Sequence, residues 1–254
     1  MDLVSAWQTV DLNTRGPRIL ECDREVLKRR QRGELDVCYA SWQEVSLDLS
    51  NSKDRNQLHL NRIPVPYVGD LSKASIFILT LNPGHELADY YFEFEDDPYG
   101  QALVNNLKQE NLDIKFPFFY LNPRFSTTGG YSYWFPEFKE VITRLMVKHK
   151  VTFDEAHSKL AQEIAVIEQV PYASVNSKPL ESLSDELCSR RLAMQYVKNH
   201  VRPKVLSSNA IAIVQRGKRW DEVLDQREGV IRNNNPRNRH LSAEAKEAIV
   251  EMLS

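Results

Sequence analysis

Asn82-Pro83-Gly84-His85 ends the apolar run Ile78-Leu79-Thr80-Leu81 with four residues that can do chemistry. The Asn82 amide can orient a water molecule but cannot act as a strong base. Pro83 and Gly84 turn the chain, and these residues also make ordinary turns readily. Three other stretches have the same character: Glu168-Gln169-Val170-Pro171-Tyr172, Arg216-Gly217-Lys218-Arg219-Trp220, and residues 233–240, which include Asn235, Pro236, Arg237 and Arg239. An ionised Glu168 only accepts hydrogen bonds. It therefore suits an exocyclic amine, or a salt bridge to a basic loop residue such as Arg216. The arginines and lysines suit phosphate, which they contact without reading sequence.

Each stretch follows a segment with the pattern of a buried strand. Residues 75–81, 163–172, 209–217 and 229–233 are short runs rich in strand formers, the second broken by Pro171. Helical patterns separate them. Phe138, Val141, Ile142, Leu145 and Met146 share one face over about 137–148. Thr152 and Glu155 form a capping box, a helix is expected over 184–201 with Pro203 just beyond it, a short one over 218–226, and Ser242 caps a last one. Pro64 and Pro66 enforce extended backbone ahead of the first strand. Residues 85–135 read as a long, aromatic, irregular loop. Alternating strands and helices imply an α/β fold with a mostly parallel four-stranded sheet covered on both faces. In such sheets ligands bind beyond the carboxyl ends of the strands, so the four polar stretches converge on one edge.

The 254 residues suffice for one large domain with an appendage. We divide them into an N-terminal extension over 1–60, packed on the core, and a domain over 61–254. No apolar run approaches membrane-spanning length and no signal pattern opens the chain, so a soluble, cytoplasmic protein with no membrane partner is expected. Three scattered cysteines, Cys22, Cys38 and Cys188, argue against a disulfide framework or a cysteine-only metal site. With no metal or phosphate-loop motif present, no cofactor is expected. The net charge of −2 hides an asymmetry: residues 190–240 hold 12 Lys and Arg against four acidic residues. A locally basic region suits a polyanion such as nucleic acid, or is a solvated basic face.

The ordered set of loops resembles the uracil-DNA glycosylase superfamily over roughly residues 64–250. That family is a three-layer α/β/α sandwich whose first strand ends in a water-positioning loop, Gly-x-Asn-Pro-Gly in the mismatch-specific branch. Here Thr80-Leu81-Asn82-Pro83-Gly84 keeps the last three residues and has Thr80 in place of the first Gly. Glu168 stands where the family has a base-reading Asn. The run ending in Arg216-Gly217 is similar to its third strand, and residues 235–238 stand where a loop wedges into DNA.

The resemblance implies a DNA base N-glycosidase of the DNA-repair type, acting without a cofactor on a flipped base. Asn82 and Asn235 would be catalytic, through an oxocarbenium-like sugar. Asn235 stands where some members carry a His, and it supplies no positive charge. Pro83, Gly84, His85, Glu168 and a stacking ring, Tyr91 or Tyr172, would hold the base. Arg216, Lys218, Arg219 and Arg239 would contact phosphate, and Pro236 with Arg237 would form the wedge. An ionised Glu168 would select an amine-bearing or modified base over uracil. Two alternatives stand beside this reading. One is a non-catalytic nucleic-acid or nucleotide binding module of the same fold, in defence or regulation. The other is a different hydrolase with Glu168 as its base.

Overall fold

The computed structural model describes residues 2–12, 16–31, 41–44, 58–176, 185–225, 228–233 and 240–254. Five strands form one mixed sheet: β1 (Tyr67–Val68), β2 (Ile76–Thr80), β3 (Ile164–Glu168), β4 (Ile211–Val214) and β5 (Val230–Arg232), in the order β1-β3-β2-β4-β5. β2 runs parallel to β3 and β4, and β4 parallel to β5. All four strands expected from the sequence are present. The fifth, β1, pairs antiparallel with β3. It is two residues long and follows Pro64 and Pro66, too short to show a strand pattern. Gly69 ends it at φ +99°, where a Cβ would lie 2.3 Å from the Ile164 carbonyl oxygen, so only glycine fits.

Every residue of β2, β3 and β4 is buried. Successive side chains point to opposite faces, so helices must cover both. The helices are α1 (Leu3–Gln8), α2 (Arg24–Gln31), α3 (Leu87–Glu95), α4 (Asp97–Lys108), α5 (Gly129–His149), α6 (Phe153–Glu163), α7 (Cys188–Tyr196), α8 (Arg202–Leu206) and α9 (Ala243–Met252). α1 packs on α4 and on α7, with α7 also against β3; α5 packs on α6 and α9, and α9 on β4 and β5. Among the described residues no helix is long and apolar enough to cross a membrane.

Several local expectations are corrected. Residues 85–135 are not an irregular loop: α3 and α4 occupy much of them. α4 is opened by Asp96, whose side chain accepts from the Tyr99 amide, and closed by a left-handed Gln109. α5 begins two turns before the expected start, capped by Thr128 and carrying Pro136 inside it. Past Tyr196 the helix continues through a π turn over Val197–Val201 and into α8, so Pro203 lies inside the helical run rather than beyond it. The wide turn gives the chain room for a residue with no N–H. The Thr152–Glu155 capping box forms as expected, the Thr152 amide donating to Glu155 Oε2 at 2.8 Å.

The N-terminal residues pack on the core. The Trp7 ring meets Tyr172 edge-on at 6.2 Å. Arg18 pairs with Glu93 at 2.7 Å. Cys22 and Cys188 are joined in a disulfide across 166 residues. The scattered cysteines therefore do supply one bridge, a pairing that spacing alone did not reveal.

Candidate functional site

Parallel pairing sets Thr80 beside Glu168, and Leu79 beside Val214, at the carboxyl ends of β2, β3 and β4. Beyond those ends lies a cavity of about 260 Å³, lined by Thr80, Asn82, Pro83, Gly84, His85, Glu168, Ser174 and Arg216, among others. Tyr120, Gly129, Gly130, Tyr133 and Trp134, from the start of α5 and the segment before it, form another wall.

Asn82 is held by its own loop. Its Nδ2 donates to the Pro83 carbonyl at 2.9 Å and to Ser174 Oγ at 3.0 Å. A carbonyl can only accept, which fixes the orientation of the amide. Oδ1 accepts no hydrogen bond among the described residues, so it can hold a water. Ser174 Oγ passes its own proton to the Asn176 carbonyl at 2.8 Å, which leaves it an acceptor for Asn82. Gly84 is not required by backbone strain, and a Cβ built there meets nothing within 4 Å. The loop is open on that side to an approaching ligand.

Glu168 is 6% exposed and receives the Thr80 hydroxyl at Oε2. Burial pushes its carboxyl up to about 8, partly opposed by the Thr80 hydrogen bond and by Arg216. At neutral pH it is therefore chiefly the neutral acid. A neutral carboxyl offers an O–H and a C=O, the same donor–acceptor pair as an amide. In that form Glu168 would not restrict the site to an amine, as an acceptor-only carboxylate would.

His85 also faces the cavity, as part of a buried polar cluster rather than as a free cation. Its ring stacks on His59 with centroids 3.6 Å apart. Its Nδ1 accepts from Arg62 Nη1 at 3.1 Å, so Nε2 carries the proton. Burial first, then the Arg62 charge, depresses the pKa of both rings, His59 to about 3 and His85 below it. Arg62 is itself buried and bonds Asp89 at 3.0 Å and Glu93 at 3.3 Å.

The two rings proposed from sequence as stacking platforms do not line the cavity. Tyr91 is 46% exposed on α3 and meets Trp42. Tyr172 is buried and donates its hydroxyl proton to Asp23 at 2.7 Å. The aromatic wall is supplied instead by Tyr120, Tyr133 and Trp134. Sequence reading missed them because their segment looked like loop, although its aromatic density was a signal. Arg219 is paired with Asp185 at 2.6 Å and lies 3.8 Å from Glu222, so its charge is already matched within the protein. Arg202 and Arg232 likewise pair with Asp225 and Asp221. The basic stretch is thus partly neutralised from within. Arg216 lines the cavity. The side chain of Lys218 and residues Asn235, Pro236, Arg237 and Arg239 lie outside the described residues.

Cys22, Asp23 and Cys188 place possible ligand atoms within 4.8 Å of one another. The two sulfurs are bonded to each other, and both Asp23 oxygens already accept hydrogen bonds. No protein-family model, curated protein or solved structure matches this chain.

Proposed function

We propose that the cavity at the ends of β2, β3 and β4 receives a nucleobase, and that the protein is an N-glycosidase with a fold of the uracil-DNA glycosylase type. The observation that carries this reading is the convergence of Asn82 and Glu168 on one cavity. Asn82, anchored through Nδ2, turns Oδ1 toward a water that attacks the sugar carbon as the base departs. Such an amide orients the water without deprotonating it fully, which fits a dissociative transition state. Glu168, neutral below pH of about 8, presents a donor and an acceptor to the base edge. Tyr133 and Trp134 supply a stacking wall.

A second reading, a nucleotide-binding module without hydrolysis, is favoured by the internal pairing of Arg219 and Arg232, which leaves fewer cations for a long DNA backbone. Titration of free nucleobases and nucleosides, followed by tryptophan fluorescence, tests occupancy of the cavity. Saturable quenching that is lost in Gly84→Phe, a position with open space for the new ring, is the expected result. Absence of binding by every base and nucleoside contradicts both readings.

A further inference from the structure

We propose that the Cys22–Cys188 bridge is a reversible thiol–disulfide exchange site that clasps the N-terminal segment to the start of α7. Cys22 is exposed on a short turn, Glu21–Asp23; Cys188 is half-buried as the first residue of α7. Their Cα atoms lie 5.9 Å apart, within the ordinary span of a bridge.

A continuous set of bonds leads from the bridge to Asn82. Asp23, fully buried next to Cys22, accepts from the amides of Cys188 at 2.7 Å and Ser189 at 3.2 Å. It thereby caps α7 from a remote segment, since Leu187 supplies no side-chain cap. The other Asp23 oxygen takes the Tyr172 hydroxyl, and that hydroxyl accepts from the Leu20 amide at 3.3 Å. Two residues beyond Tyr172, Ser174 receives the Asn82 amide. The clasp therefore holds the segment that orients the water-binding loop.

The exchange partner is a dithiol. Its thiolate attacks the accessible Cys22 sulfur, the S–S bond breaks, and Cys188 leaves as a thiolate at the positive end of α7. The second thiol then attacks the mixed disulfide, freeing Cys22 and closing the reductant's own disulfide. Two electrons pass to the protein, and its two thiolates take protons from water.

The test uses the full chain with and without dithiothreitol under native conditions, followed by denaturation and alkylation. The sequence has three cysteines, so one alkylated site is expected in the oxidised form, three after reduction, and one again after reoxidation. Reduction should lower Tm by roughly 5–10 °C, and Cys22→Ser should melt at the reduced value with or without dithiol. Amide exchange over 170–174 should quicken about tenfold or more on reduction. Three alkylated sites after oxidation, or one after native reduction, would overturn the proposal. So would a wild-type Tm or an exchange rate over 170–174 that dithiol leaves unchanged.

Discussion

Thr80 and Glu168 face each other at the ends of two parallel strands, and the Thr80 hydroxyl is bonded to the Glu168 carboxyl. Strand register alone creates this contact. It places a carboxylic acid where water cannot stabilise its charge, and one hydroxyl only partly offsets the loss.

A consequence is a pH-dependent stability. The folded-state pKa of Glu168, about 8, lies above its ordinary value of 4.5. The fold keeps a proton that the unfolded chain releases, so this contribution is whole below about 4.5 and declines as pH rises toward 8. The slope is about 1.4 kcal/mol per pH unit within that window. Chemical denaturation at several pH values should show Glu168→Gln losing most of this decline. Thr80→Val removes the bond that holds the pKa down and should extend the decline to higher pH, with the same onset.

The two stacked histidines act in the opposite direction. Both resist protonation in the fold, while their unfolded pKa is near 6.5. Their contribution is whole above that value and is lost as pH falls below it, because the unfolded chain then binds protons the fold refuses. Melting curves between about pH 4 and 7 should show a steeper acid loss in wild type than in His59→Gln.

Arg62 lies between two buried carboxylates, Asp89 and Glu93. Arg62→Leu leaves them without their shared partner and should destabilise the chain by about 3–5 kcal/mol in urea. Arg18 also pairs with Glu93, so Arg18→Ala should cost less.

Ser174 is 2% exposed and holds one hydrogen bond of the Asn82 amide. Ser174→Ala should cost about 1 kcal/mol of stability. On the proposed N-glycosidase reading it should lower kcat while leaving KM nearly unchanged, because the amide that orients the water loses alignment while the groups that meet the base stay in place.

The sequence disclosed those parts of the fold that depend on local pattern. β2, β3 and β4 are uniformly apolar and bounded by polar loops, and Thr152 and Ser242 are caps with a local mechanism. The loops they bound did meet, bringing Asn82, Glu168 and Arg216 to one cavity. What stayed hidden depends on distant residues. Tyr172 looked like a cavity ring because it follows β3, yet Asp23, 149 positions earlier, captures its hydroxyl. The Cys22–Cys188 bridge and the pairing of Arg219 with Asp185 are of the same kind. The charge state of Glu168 also follows from burial, which no local spacing reveals.

The central proposal, hydrolysis of an N-glycosidic bond by a water that Asn82 orients while Glu168 meets the base edge, is tested most directly by abasic-site formation. The substrates are single- and double-stranded oligonucleotides carrying uracil, mismatched thymine and modified cytosines. Wild-type protein should release at least one base, with a rate that falls as pH rises through about 8 in wild type but not in Glu168→Gln. Asn82→Ala should slow release by about 100-fold or more. No abasic site with any substrate, or equal rates for wild type and Asn82→Ala, would contradict it.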